Sequence, residues 1–328
     1  MSHILSTISI KKLSLSVVLS ISALISYIAT LNIIQDKIIY QPRSYTNEYK
    51  QLLVHPYVHQ FKYNTTHNGI QTSFIVINNN NTNHIKYTKL MFMYGGNAAL
   101  ALDWLPFINN FYMRINNQPS TTANIQYIFI LMDYCGYGYN KYNYSVITPN
   151  NILECTLTAY NQVVQLYDAH DIEVSLIGHS LGSAIVLQLY EYILHNNIIN
   201  NIDELILISP FTSIYDMSAA IFGVNIPLLE LLLKHEYNNR QRLQFVLDHT
   251  TNNHTTISIY HGIHDEIVPI QHGRELSKLH SNINNNQYTI QYTELPCYHN
   301  DIIDYISTQL CNKLIHINSI TNNVQSQL

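Results

Sequence analysis

From about residue 70 to residue 300 the chain alternates short apolar, β-rich runs with longer stretches in which apolar positions recur every three or four residues. The short runs, at 71–77, 88–94, 126–133, 173–178, 204–209, 256–262 and 287–295, are rich in Ile, Val, Phe and Tyr and predict β-strands. The stretches 151–170 and 183–196 carry helical spacing. Central runs such as "LMFMY" and "YIFILM" are apolar at every position rather than at alternate ones. Strands read this way when helices cover both faces of a mostly parallel sheet, and the alternation of strand with helix predicts an α/β domain.

The amino terminus follows another pattern. Leu13 to Ile34 carries no charge, and its length of roughly 22 residues would span about 33 Å as a helix, close to the thickness of a bilayer core. A cleaved signal peptide, which would make the chain secreted or lumenal, is the competing expectation. Its apolar region is usually shorter, about 7–15 residues, and no clean small-x-small cleavage site stands here. The pattern favours a single-pass anchor. Two lysines precede it while Lys37, Arg43 and Lys50 follow, so charge does not orient it. The expected organisation is a tail at 1–12, an anchor at 13–34, a polar stalk and lead-in at 35–70, an α/β domain at 71–315 and a tail at 316–328.

Charge narrows the function. With 16 Lys and Arg and a formal net charge of -5, the chain lacks the clustered positive charge that a nucleic-acid partner requires. Cys135, Cys155, Cys297 and Cys311 show no C-x-x-C spacing, which argues against a zinc knot and favours free thiols. The sequons at Asn64, Asn80, Asn143 and Asn253 arise easily in an Asn-rich chain. No nucleotide-binding glycine fingerprint is present, and His235-Glu236 lacks the second His of a zinc-protease helix, so neither a cofactor nor a metal is expected.

Glycine is scarce, and seven of the 10 lie in four loops that each follow a predicted strand: Gly95 and Gly96, Gly136 and Gly138, Gly178 and Gly182, and Gly262. In open α/β sheets the ligand crevice lies at this carboxyl edge. One of the loops reads Gly178-His179-Ser180-Leu181-Gly182, with a strand before it and a helix after it. A G-x-S-x-G turn in that context lifts a serine hydroxyl above the sheet beside the free N–H groups of a helix start. A serine needs a base to take its proton, usually a His steadied by a carboxylate. Asp265, in the turn after the 256–262 strand, and His299, just past the last strand, supply both in the chain order Ser, Asp, His. The amides of Leu181 and of Asn97, which follows the glycine pair after an early strand, are the candidate oxyanion donors. Read blandly, Ser180 is an idle turn serine, Asp265 a surface carboxylate and His299 a neighbour of a helix cap. His261, His264 and Asp265 also invite a metal reading, but inside such an acid turn both histidines are expected to be structural or solvent-facing.

With these residues in place the chain resembles the α/β-hydrolase superfamily. Within it, the chain is similar to the membrane-anchored lysophospholipase- and acyl-protein-thioesterase-like subgroup with a serine aminopeptidase S33-type domain. Gly95-Gly96-Asn97-Ala98 matches that subgroup's His-Gly-Asn-Ala oxyanion loop, and Asp133 to Gly138 matches its Asp-Tyr-Arg-Gly-Tyr-Gly loop. Gly178 to Gly182, His261 to Pro269 and Tyr298-His299-Asn300-Asp301 match its nucleophile, acid and histidine motifs, and the resemblance covers about residues 37–315. It implies hydrolysis of an ester, thioester or amide without a cofactor. Gly95, Cys135 and Tyr298 stand where the subgroup has His, Arg and Gly, and Tyr298 is bulky enough to narrow an acyl site beside the imidazole. The stretch 217–255 predicts two short helices, too small for a large lid, whose apolar side is more simply core than lipid contact. Together with the anchor it points to an acyl-lipid or acylated-protein substrate met at a membrane. A peptidase on the same fold, and a binding module that has kept the triad residues, remain the alternatives.

Overall fold

In a computed structural model the described residues run from 17 to 315, leaving out 24, 28, 31–32, 34, 79–84, 118–123, 141–146, 168–170, 199–201, 223–232, 251–254 and 282–289. They form an eight-stranded sheet of β1 (Val58–Thr65), β2 (Gly69–Ile77), β3 (Tyr87–Tyr94), β4 (Ile125–Met132), β5 (Asp171–His179), β6 (Ile202–Ile208), β7 (Thr256–Gly262) and β8 (Ile290–Leu295). The strand order is β1-β2-β4-β3-β5-β6-β7-β8. The β1–β2 and β2–β4 pairs are antiparallel, and all others are parallel.

The helices that follow the first strands are α1 (Leu105–Asn116), α2 (Pro149–Tyr167), α3 (Leu181–His195), α4 (Ile214–Phe222), α5 (Asn239–His249), α6 (Gln271–Leu276) and α7 (Ile302–Ile315). Their layering follows from chirality. The step from β3 through α1 to β4 runs one way along the sheet, and the steps through α2, α3 and α5 run the other way. Right-handed crossovers therefore put α1 on one face and those three on the opposite face. Accordingly α1 packs against α7, while α2 and α5 pack against α3. The fully buried Leu90 to Tyr94 and Leu205 to Ile208 explain why these strands carry no polar alternation. Because the chain leaves β3 and β5 toward opposite faces, a crevice opens at their carboxyl ends.

β1 lies inside the stretch where the sequence predicts a polar stalk. It is an edge strand with several exposed positions, so its apolar signal is weak. The three-residue turn to β2 closes on Gly69 at φ 61°, a left-handed position natural to glycine, and Asn68 donates its amide to the Thr65 hydroxyl.

Ahead of β1, the described residues between 17 and 39 are helical, and Val17, Leu19, Ile21, Ile25 and Ile33 are exposed. Among the described residues, no helix is long and apolar enough to cross a membrane. The expected anchor at 13–34 lies partly outside those residues. The chain beyond it returns to the domain, where Ile39, Tyr40 and Tyr49 are buried.

Candidate active site

β5 ends at His179 and α3 begins at Leu181, so Ser180 alone makes the turn. Its backbone sits at φ 53°, ψ −116°, a strained conformation for a residue with a side chain. Neighbouring bonds hold it there: the Ser180 amide donates to the Ile208 carbonyl at 2.8 Å, and the Ser183 hydroxyl donates to the Gly178 carbonyl at 2.7 Å. The helix starts hard against the end of β3. A methyl group on Gly182 would run into the Tyr94 carbonyl, so only glycine lets α3 approach so closely.

Asp265 stands in the turn after β7 with its side chain closed off from solvent. Its Oδ1 accepts the amides of Ile267 (3.0 Å) and Val268 (2.7 Å), and its Oδ2 accepts Nδ1–H of His299 at 2.7 Å. Burial pushes this carboxyl up, but the bond from His299, its charge and the Val268 amide outweigh that and leave it below the ordinary aspartate value. Donation from Nδ1 fixes the His299 tautomer and leaves Nε2 as the proton-accepting nitrogen.

His299 precedes α7, and both it and Ser180 line one cavity of about 690 Å³. The five residues singled out from the sequence come to this edge of the sheet: Ser180, Leu181, His299 and Asn97 line the cavity, and Asp265 backs His299. As the first residue of α3, Leu181 has no intrahelical acceptor for its amide. Among the described residues the Asn97 amide has no backbone partner either.

Several features were not anticipated. His179, read only as the variable position of the serine motif, is bound through Nε2 to the His299 carbonyl at 3.2 Å, with its ring centroid 4.8 Å from that of His299. Burial first, and the neighbouring His299 next, lower its pKa to about 3, so it stays neutral. Gln35, Ile38, Ile39 and Arg43, from the expected stalk, form part of the cavity wall. Asp36 ties that segment across the fold, accepting from Lys234 Nζ at 2.9 Å and bonding His235 Nε2 at 2.6 Å, while the Tyr40 and Tyr237 hydroxyls meet at 3.0 Å. These contacts join positions almost 200 residues apart, which no local pattern reveals.

Tyr298 does not crowd the imidazole. It is 56% exposed and tilts toward His264, 5.8 Å away, outside the cavity wall. His264 is itself exposed while His261 is buried against the Val268 carbonyl, and no group of three metal-binding side chains converges among the described residues. A side chain at Gly95 would strike the Ala99 methyl, so the histidine that stands here in the subgroup the sequence resembles would not fit this loop unchanged. Of the expected insertion at 217–255, Met217 and Ser218 on α4 line the cavity beside the preceding Ile214, whereas α5 buries Leu243, Val246 and Leu247 in the helical layer beside α3. Residues 223–232 of that stretch lie outside the described residues.

No family model matches the chain. It is 27% identical over 236 residues to an uncharacterized protein of Acanthamoeba polyphaga mimivirus, which covers 68% of this chain and 70% of that one. In structure it is similar to an esterase of Pyrococcus furiosus, with a TM-score of 0.56 at 13% identity over 84% of this chain and 95% of that one. It is also similar to a fungal esterase from Rhizomucor miehei, with a TM-score of 0.52 at 12% identity over 84% of this chain and 90% of that one. A putative hydrolase from Agrobacterium vitis gives 0.50 at 14% identity over 79% and 99%. These likenesses establish the fold class, which is that of the α/β-hydrolases, with a mostly parallel eight-stranded sheet.

Proposed function

We propose that the protein is a serine hydrolase that cleaves an acyl ester or thioester through an acyl-enzyme. The observation that carries this reading is that His299, bonded at 2.7 Å to a buried Asp265 behind it, lines one cavity with a serine on a strained strand-to-helix turn. In this mechanism Ser180 Oγ attacks the acyl carbonyl carbon while His299 Nε2 takes the hydroxyl proton. The resulting oxyanion lies against the amides of Asn97 and Leu181. Collapse breaks the bond to the leaving group, which receives the proton from His299. Water then repeats the sequence on the acyl-serine and releases the acid. Asp265 holds the imidazole in the required tautomer and stabilises its positive charge.

The walls support an acyl chain over a peptide: Ile38, Phe107, Phe211, Met217 and Ile303 surround the site. The finer reading is a lipid or an acylated protein met at a membrane surface, with residues 13–34 as the anchor. The support for it is the uninterrupted apolar sequence and the exposed apolar side chains on its described residues.

The test is labelling by a fluorophosphonate, wild type beside Ser180→Ala. Labelling of the wild type alone, followed by turnover of acyl esters and thioesters, is the expected result. A folded wild type that neither labels nor turns over any of them would sink the proposal and leave a binding module.

A further inference from the structure

Resting on the hydrolase reading above, we propose that Tyr134 and Tyr137 are positioning residues that hold the Asn97 amide in place for the oxyanion. Both stand in the loop after β4, buried behind the 95–98 loop and outside the cavity wall. The Tyr134 hydroxyl donates to the Gly95 carbonyl at 2.5 Å, and the Tyr137 hydroxyl donates to the Asn97 carbonyl at 2.6 Å. The carbonyl between them, that of Gly96, accepts the Ala99 amide at 3.2 Å. The amide of Gln41 reaches both the Asn97 carbonyl and the Tyr137 oxygen at 3.1 Å, and Arg43 Nη1 donates to the Ala98 carbonyl at 3.1 Å.

Four successive carbonyls are thus taken up by partners, two of them by the tyrosine hydroxyls. In a trans peptide the N–H points opposite to the C=O. Tying the carbonyls fixes the planes, and with them the direction in which the intervening amides point. The two tyrosines clamp the peptide units on either side of the one that carries the Asn97 amide. Rotating that unit away then requires giving up the Gly96–Ala99 bond between two held ends. Burial keeps both phenols protonated, so each remains a donor.

The same loop is fastened from one residue earlier. Asp133 accepts the Ala101 amide at 2.8 Å and the Tyr45 hydroxyl at 2.7 Å, so the segment 133–137 grips the 95–101 loop at three points. An aligned donor acts on the transition state and hardly on the bound substrate, because the carbonyl becomes an oxyanion only during reaction. The residues therefore have a kinetic signature distinct from that of simple packing.

The experiment compares the full-length chain with Tyr134→Phe, Tyr137→Phe and the double variant. Three quantities are read: kcat and KM for a p-nitrophenyl ester, the affinity of an alkyl boronic acid as a tetrahedral mimic, and the melting temperature. The double variant is expected to lose about 10–100-fold in kcat with KM within about twofold, and to bind the boronate more weakly by a similar factor. Unchanged kcat and boronate affinity in the double variant would overturn the proposal. So would a fall in kcat with boronate affinity retained, since the defect would then lie elsewhere. If the double variant does not fold, each single variant is read by the same criteria. An inactive, unlabelled wild type would overturn the hydrolase reading and this proposal together, whereas an active wild type with unaffected variants would overturn this proposal alone.

Discussion

The two edges of the sheet bury charge in opposite ways. Near the amino ends of the central strands, Lys89 on β3 lies directly beside Glu173 on β5, with Glu204 on β6 one strand further. Lys89 Nζ is 3.7 Å from Glu173 and 3.5 Å from Glu204, and all three side chains are shut from solvent or nearly so. Asp203 is pushed up to about 7, first by burial and then by the charge of Glu173. At the carboxyl edge Asp265 is buried as deeply, but its partner His299 also lines an open cavity. The first cluster answers its charges internally. In the second, the partner of the buried carboxylate also lines the cavity. Burial is therefore common to both edges, and what singles out the carboxyl edge as the candidate site is a buried pair with one group at a cavity.

The sharpest break between the edges is Asp265→Asn. It should lower kcat by about 10³–10⁴-fold by upsetting the His299 tautomer while leaving the fold intact, to be read from turnover beside circular dichroism. At the opposite edge Lys89→Met should do the reverse. Removing the cation takes the nearest counter-charge from two buried carboxylates and should cost about 3–5 kcal/mol in urea unfolding, with unchanged turnover per folded molecule. Loss of turnover without loss of stability in that variant would erase the contrast.

The smallest effect is a pH slope. His179 has its pKa lowered to about 3 from an ordinary 6.5, so below pH 6.5 the unfolded chain binds a proton that the folded chain does not. Its contribution is therefore complete above pH 6.5 and is lost as pH falls toward 3. His179→Gln should flatten the decline of stability between pH 6 and 5 by about 1 kcal/mol, measured as unfolding midpoints across that range. An identical slope in the variant would show that His179 does not carry this dependence.

Much of the carboxyl edge was legible as sequence because its chemistry is built on local turns. Gly178 to Gly182 forces one geometry wherever a strand meets a helix, and Asp265 and His299 each follow a strand at short range. Lys89, Glu173 and Glu204 were not read as a unit, since each is a single charge near the start of an apolar run and only strand register brings them together. β1 escaped notice because an edge strand needs little apolar sequence, although Asn68-Gly69 was a usable turn signal. The direction of Tyr298 was also beyond reach, because bulk says nothing about which way a side chain leaves a loop. The braces Tyr134 and Tyr137 were visible as members of a motif, but their bonds to Gly95 and Asn97 exist only once the loops after β3 and β4 lie together.

The tie between Asp36 and Lys234 also sets a clock. The two residues are 198 positions apart, so at a synthesis rate of about 5–20 residues per second the first waits roughly 10–40 s for the second to be made. Until then that wall of the cavity is held from the 97–98 and 137–138 loops, through Gln41 and Arg43. His299 is made later still. On the proposed hydrolase reading, the growing chain carries its serine turn before either Asp265 or His299 has been made.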